Sequence, residues 1–310
     1  MTVLRQDHFS FSIARTELEN RILIPKYYDP ELSIANEMAS GEYELPCLRD
    51  LLMPGNVGSR LGVWIRREHY GTGAIPYVRT SDLNAWRLRP DFKKGVSQQV
   101  YDDVASKQDV IEGDILMVAH GTYLVGSVAI VTKDDLPLVL QDHVFRLRLG
   151  SCHLVSESSS IDKWLVLAAL STRFVRRQIR ARQFSADIID KVGNRHLDVR
   201  VPIPRDVGRR VSISTTVKEI VTGQTAARKS ISSLLTSDMK MTRERSLARH
   251  GFSVPRAMIS KRILIPKYYD PDLQRDLIEQ AELSEAKWVA IGDLVSDGLL
   301  RVGTGVEVGK

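Results

Sequence analysis

One twelve-residue segment occurs twice in this chain. Residues 21–32 read RILIPKYYDPEL and residues 262–273 read RILIPKYYDPDL, identical at eleven of twelve positions and 241 residues apart. The match then continues more thinly. Asp50-Leu51 corresponds to Asp293-Leu294 and Gly62-Val63 to Gly305-Val306, both 243 residues apart. Internal repetition at a fixed offset signals a repeated structural unit. The chain is therefore expected to hold one complete unit and the opening of another, with Lys310 standing opposite Arg67. Four regions follow: a repeat opening over 1–44, a globule over 45–205, a helical spacer over 206–250 and a partial second repeat over 251–310.

Within 45–205, short apolar runs alternate with turn residues. Ile115–Val118 and Val128–Val131 flank the turn His120 to Gly126, which predicts strand, loop and strand. Phe145, Leu147 and Leu149 alternate with Arg146 and Arg148, the period of a half-buried strand. Asp162 is placed to cap a helix running from Lys163 to about Gln183. Val201-Pro202-Ile203-Pro204 cannot continue as helix, because proline lacks the N–H and fixes its neighbour.

Residues 211–238 have another texture. Ile213, Val217, Ile220, Gln224, Ala227, Ile231 and Leu234 recur in alternating steps of four and three, the seam of a coiled coil seeking a partner helix. Gln224 is placed to set register, and Gly223 weakens the helix by about 1 kcal/mol relative to alanine. The same spacing also suits an amphipathic helix lying on its own domain.

The net charge of +6 and a pI near 9.3 suit a polyanionic partner. Much of the charge sits together: Arg173, Arg176, Arg177, Arg180, Arg182 and Lys191, against only Asp187 and Asp190. Such a run is either a phosphate-contacting face or a solvated one. No apolar run approaches the roughly 18 residues of a membrane span. The charged first twenty residues argue against a secretory signal. Two cysteines, Cys47 and Cys152, without C-x-x-C spacing suit a reducing cytoplasmic setting and no structural zinc.

Catalytic signatures are scarce. The sequence has no phosphate-cradling glycine loop of the P-loop kind, no Gly-x-Ser-x-Gly elbow, no His-Glu-x-x-His and no dinucleotide fingerprint. The Asn/Asp-Pro-Pro-Tyr signature of adenine-N6 methyltransferases is missing, and Tyr28-Asp29-Pro30 is only superficially like it. Pro271-Asp272 with Glu285 and Lys287 fits the spacing of a metal-dependent nuclease, in which two acids hold the metal and a lysine positions water. Such matches are common by chance, and the first repeat lacks the Glu-x-Lys. A metal site from His120, Asp142 and His143 is the weaker alternative.

Polar clusters suit binding better. In 75–86, IPYVRTSDLNAW, Tyr77, Arg79, Thr80, Ser81 and Asn84 follow a short apolar start. Arginine and asparagine pair bidentately with guanine and adenine edges, and serine and threonine reach bases or phosphates. Helix capping by Ser81 or Asp82 is the structural alternative. A second cluster, His120, Thr122 and Tyr123, lies between glycines that allow close backbone approach. A third is Gln141-Asp142-His143. The fourth is the loop 183–188 with Ser185.

Taken in order, IPYVRTSDL, the GDIL, GTYLVG and AIV block of 113–131, QDHVFRLR, and a helix, loop and Ile-Pro ending resemble the target-recognition domain of type I restriction–modification specificity subunits. The RILIPKYYDPEL opening is similar to a subgroup that accompanies an N6-adenine methylase. The resemblance spans most of 20–310. It implies a mixed α/β recognition globule, a long coiled-coil-type helix and a partial second repeat. It also implies a DNA-reading subunit that is not itself an enzyme and needs no cofactor. Loops of the globule would enter the major groove, and the partners would be double-stranded DNA and an N6-adenine DNA methyltransferase subunit, with no membrane.

The sequence departs from that family by having one recognition domain rather than two. Two readings stand open: a homodimer through the 211–238 helix, reading a palindrome as a twofold protein must, or a truncated product. Beside sequence readout stand a metal-dependent nuclease and a scaffold or inhibitor that occupies a methyltransferase's specificity slot without reading DNA.

Overall fold

β-branched and aliphatic runs punctuated by glycine, proline and aspartate produce many short strands. In the computed structural model these are β1 (Tyr43–Glu44), β2 (Ser59–Leu61), β3 (Ile75–Val78), β4 (Leu83–Asn84), β5 (Arg87–Leu88) and β6 (Gly95–Val96). They continue with β7 (Ile115–Val118), β8 (Val128–Ile130), β9 (Val139–Leu140), β10 (Val144–Leu147) and β11 (Ile203–Pro204). The helices are α1 (Leu48–Leu51), α2 (Gly55–Gly58), α3 (Gln98–Gln108), α4 (Lys163–Ser171), α5 (Arg173–Ala181), α6 (Val207–Asp238) and α7 (Ile291–Ser296). The structure describes residues 12–18, 25–30, 32, 41–90, 92, 94–121, 124–151, 160–183, 192–238, 282, 289 and 291–299. The chain divides into two units, Met1–Gly223 and Gln224–Lys310.

The first unit is built on an antiparallel sheet in the order β2-β10-β7-β8. The expected strand–loop–strand is β7 and β8, paired with Ile115 opposite Ile130 and Met117 opposite Val128. Strand period 2 sends alternate side chains to opposite faces. Ile115 and Met117 enter one apolar cluster with Leu165, Val166 and Leu170 of α4, while Leu116 and Val118 enter a second with Leu138, Leu140 and Val144. Both faces are therefore buried. A second sheet, β6-β3-β9, pairs β3 antiparallel to β6 and parallel to β9. β11 closes back on β1.

Burial on both faces corrects the half-buried expectation for 145–149. β10 lies between β2 and β7, and all four of its residues are buried, Arg146 included. Local alternation reports polarity but not whether a second layer covers the polar side. Here Arg146 lies 4.0 Å from the buried Asp114 and donates through Nη2 to the Asn56 carbonyl at 2.9 Å.

Two further expectations change in detail. Asp162 does cap the following helix, accepting from the N–H groups of Trp164 and Leu165 at 3.0 and 2.9 Å. That helix ends at Ser171, and Thr172 caps a second one by accepting from the Val175 N–H at 3.3 Å. A side-chain acceptor beside its own backbone competes with helix continuation and restarts it.

The helix expected from the seam over 211–238 spans Val207–Asp238. Its part in the first unit is committed to that unit's core. Val217 and Val221 are buried in the main cluster and Ile213 packs partly against it, whereas Ile220 is 42% exposed. The side chains at 213, 217 and 221 follow steps of four, the amphipathic alternative to a partner-seeking seam. Arg210, fully buried, anchors this helix by donating to the Pro204 carbonyl and to Ser160 Oγ.

In the second unit, Ile231 is 57% exposed. Described residues of the second repeat are few, but α7 begins at Ile291, in the register of Leu48 where α1 begins. The other residues of the expected 251–310 region, with Asp272, Glu285 and Lys287 of the nuclease pattern, lie outside the described residues.

Candidate nucleic-acid interface

α5 carries most of the arginine run, and its sequence RFVRRQIRA is amphipathic. Val175, Gln178 and Ile179 are buried, while Arg173 and Arg180 are exposed. The remaining arginines are not a uniform solvated stripe. Arg176 is half-buried beside Ser127, with Nη2 3.5 Å from the hydroxyl. Arg177 is ion-paired with Asp29 at 2.7 Å. Arg182 lies over the Tyr27 ring at 5.8 Å and donates to the carbonyls of Gln178 and Asp198, each at 3.2 Å. Arg177 and Arg182 thus both contact the first copy of the repeated segment. Lys191 and Ser185 lie outside the described residues.

The turn between β7 and β8 packs on the same helix. Gly126 has a positive φ of 77°, and a Cβ there would stand 3.1 Å from Ile179 Cδ1. Glycine is what lets the turn come so close. Gln183, just beyond α5, donates to the Gly121 carbonyl at 3.0 Å. The structure therefore brings together the His120–Gly126 turn and the end of the arginine helix. His120 itself is only 4% exposed and stacks on His143 at 4.4 Å, which corrects its reading as a DNA-facing donor. Thr122 and Tyr123 lie outside the described residues.

In the 75–86 segment the structure separates core from surface. Tyr77 is fully buried and donates its hydroxyl to the Val63 carbonyl at 3.2 Å, so it is a core residue rather than a DNA contact. Burial, with Tyr70 and Asp142 nearby, holds that hydroxyl above its ordinary pKa. The buried Asp82 accepts from the Arg79 N–H at 2.8 Å, closing a turn over Thr80–Asp82. The turn leaves Arg79, Thr80 and Ser81 partly exposed. Asn84 is exposed on a hairpin, with Leu83 opposite Leu88 and Asn84 opposite Arg87. Its two turn residues, Ala85 and Trp86, have φ of 45° and 72°. Trp86 is held there by its indole N–H donating to Ser171 Oγ at 2.5 Å.

Sequence reasoning missed one concavity. A cleft of about 300 Å³ is lined by Asn56, Ser59, Arg60, Leu61, His120, Phe145, Gly193 and Asn194. Behind it, His196 Nδ1 lies 2.6 Å from the Gly193 carbonyl and Nε2 lies 2.9 Å from the Ser59 hydroxyl. With a proton on Nδ1 donating to that carbonyl, Nε2 accepts from Ser59. His196 is fully buried and stacks on Phe145 at 4.0 Å, and burial pulls its pKa down to about 4. Asn56 and Asn194 bring amide donors and acceptors to this cleft. Nothing local in the sequence marks it, because its walls come from four separate segments spread between Asn56 and Asn194.

Among the described residues no group of three His, Cys, Asp or Glu side chains could hold a metal ion. Among them, too, no helix is long and apolar enough to cross a membrane.

No family model and no curated protein matches this chain. Solved structures do. A type I restriction–modification S subunit from M. genitalium is 15% identical, over 68% of this chain and 47% of that one, with a TM-score of 0.40. A chain from work on complex assembly and conformational transition of the type I R-M system is 15% identical over 69% and 49%, with a TM-score of 0.39. The HsdS subunit from Thermoanaerobacter tengcongensis is 13% identical over 65% and 46%, with a TM-score of 0.37. This chain spans about half the length of the solved chains to which it is similar.

Proposed function

We propose that this chain reads a DNA sequence for a restriction–modification system of the type I kind, without catalysing a reaction itself. The observation that carries the reading is the packing of the His120–Gly126 turn against the arginine helix, through Gly126 on Ile179 and Gln183 on Gly121. Two segments whose side chains suit nucleic-acid chemistry thus share one neighbourhood, with exposed Arg173 and Arg180 on its helix. Arginines placed this way set register on phosphates, and turn residues read base edges. Thr122, Tyr123, Ser185 and Lys191 belong to this reading by sequence. Arg79, Thr80, Ser81 and Asn84 form its second reading element.

An N6-adenine methyltransferase subunit is the proposed partner that would modify what is read. The exposed apolar residues Ile220 and Ile231 are the features of the long helix that suit a partner helix, either a second copy's or the methyltransferase's. A cytoplasmic setting goes with this role.

Selection from a randomised duplex pool, with the purified chain alone and with a methyltransferase subunit from the same host, tests the proposal. Enrichment of an adenine-containing motif in either arm supports it, and a palindrome supports a twofold assembly. Retention of the methyltransferase without any motif would replace it with the scaffold reading. Magnesium-dependent cleavage of the pool would replace it with the nuclease reading.

A further inference from the structure

Among the described residues, Trp64 is the largest exposed apolar side chain, with 66% of its surface in solvent. Its backbone is fixed on both sides. Val63 donates its N–H to the Leu140 carbonyl at 2.9 Å and accepts at its own carbonyl from the Tyr77 hydroxyl at 3.2 Å. Ile65 is 5% exposed and packs in a cluster with Tyr77, Val96 and Val139. The two anchors leave the indole between them outside the core. A single exposed apolar residue needs no explanation by itself, but the surroundings of Trp64 supply one. Its segment leaves β2 at the end of the sheets where the polar clusters also emerge. Gly62 donates its N–H to the Val144 carbonyl, Gln141 to that of Val78 and Ala119 to that of His143, each at 2.9 Å. These bonds bring the chain ahead of Arg79, the Gln141–His143 turn and the approach to His120 beside Val63. Arg89 belongs to the same end, because its N–H donates to the Asp82 carbonyl at 2.8 Å. Arg66, Arg67 and Arg89 are exposed and Arg79 partly so, against the carboxylates of Glu68 and Asp142. That balance suits a polyanion rather than an acidic or neutral protein face.

In the major groove, thymine is the base whose edge sets an apolar C5-methyl beside an O4 acceptor. An indole offers the matching pair, an apolar ring and one N–H donor. We infer that Trp64 reads a thymine, its ring against the C5-methyl and its N–H on O4, with the neighbouring arginines on phosphates. This assignment rests on the proposed DNA reading and gives it a base-specific residue outside the 75–86 and 120–126 segments. The anchoring of Val63 and Ile65 means that the ring is already in place before DNA arrives, so little ordering accompanies its contact.

The duplex enriched by the full wild-type chain, with the methyltransferase subunit where enrichment needs it, is the probe. Each thymine in turn is replaced by deoxyuridine, which lacks only the methyl group. One such replacement is expected to weaken wild-type binding about fourfold, the contribution of one buried methyl. Trp64→Ala is expected to weaken binding of the unmodified duplex by about tenfold and to abolish the deoxyuridine penalty at that position. Trp64→Phe keeps a ring without the N–H, and should bind more weakly than wild type while retaining the penalty. Because the side chain is exposed, both variants should melt with the wild type, which thermal unfolding checks. A Trp64→Ala chain that binds the duplex like wild type, or a deoxyuridine penalty that survives in it, would overturn the assignment and leave DNA reading intact. So would normal reading combined with lost retention of the methyltransferase subunit, which would make a protein the partner of the ring. A wild-type chain that selects no motif in either arm would remove the reading itself, and the assignment with it.

Discussion

Arg148 holds the carboxylate of Asp114 with two bonds, Nε to Oδ1 at 2.8 Å and Nη2 to Oδ2 at 2.9 Å. Asp114 is buried, and it also accepts from the Ile111 N–H at 2.9 Å. Arg148 reaches Asp109 as well, at 2.7 Å, and that hydrogen bond first of all holds Asp109 below the usual carboxylate range. Asp114 is further the nearest acid to the buried Arg146, whose own pKa burial lowers. One carboxylate therefore serves two guanidiniums at one end of the inner strands β7 and β10.

Breaking that arrangement leaves the buried Arg146 without its nearest carboxylate, while Arg148 keeps only Asp109. Asp114→Asn is expected to destabilise the first unit by roughly 3–5 kcal/mol, since removing one partner of a buried pair exposes the full desolvation cost of the other. Arg148→Lys keeps a charge but loses the two-pronged geometry, and should cost less. Urea unfolding at neutral pH checks both. An Asp114→Asn midpoint close to wild type would mean that water reaches this pair freely.

The hairpin at Ala85-Trp86 places two side-chain-bearing residues at positive φ, where glycine and asparagine are favoured. Trp86 is held there by its bond to Ser171, but Ala85 is exposed. Ala85→Gly should therefore stabilise the protein by up to about 1 kcal/mol, the relief of left-handed strain outweighing the added freedom of the unfolded chain. Thermal unfolding reads it directly, and a loss of stability would show that the turn carries no strain.

These cases mark what the sequence discloses. β7, β8 and the Asp162 cap are local features, decided by residues within a few positions, and all were legible. The break between α4 and α5 was also local, in Ser171-Thr172, but helical periodicity on both sides concealed it. Arg146 was misplaced because a strand's alternation does not say how many layers cover it. Contacts between remote segments were not legible: Arg177 meets Asp29 across 148 positions, and Ser59 meets His196 across 137. Such pairings arise from topology, and no spacing rule reaches them. Tyr77 and His120 failed as surface residues for the same reason, since polar atoms alone do not show which side chains the fold encloses.

His196 gives a pH prediction with a definite sign. Burial lowers its folded pKa to about 4, against an ordinary value of 6.5. Between these values the unfolded chain binds the proton and the folded chain does not, so stability rises with pH through the window. The contribution is fully present above about 6.5 and is lost as pH falls toward 4, by roughly 3 kcal/mol at most. His196→Asn should remove that part of the slope while lowering stability at neutral pH through the lost Ser59 bond and Phe145 stacking. Urea titrations of both proteins at several pH values between 4 and 7 check it. Parallel curves would show that another group is responsible.

The exposed and the clasped arginines of α5 should separate in DNA binding. Each phosphate contact releases counter-ions and adds about 0.9 to the salt slope of a duplex-binding protein. Arg173→Gln and Arg180→Gln should each weaken binding to every duplex alike and lower the slope by roughly 1, the signature of a phosphate contact. Arg177→Gln, which loses the pair to Asp29, should loosen the first repeat segment and leave the slope unchanged. Asn84→Ala belongs to neither group: a base-edge contact would cost on the order of 1–3 kcal/mol at one position of the preferred sequence and leave the slope alone. Binding isotherms for one preferred and one scrambled duplex, over a series of salt concentrations, distinguish the three behaviours. Equal slopes for Arg173→Gln, Arg180→Gln and wild type would move the phosphate contacts off this helix, and with them the proposed placement of DNA.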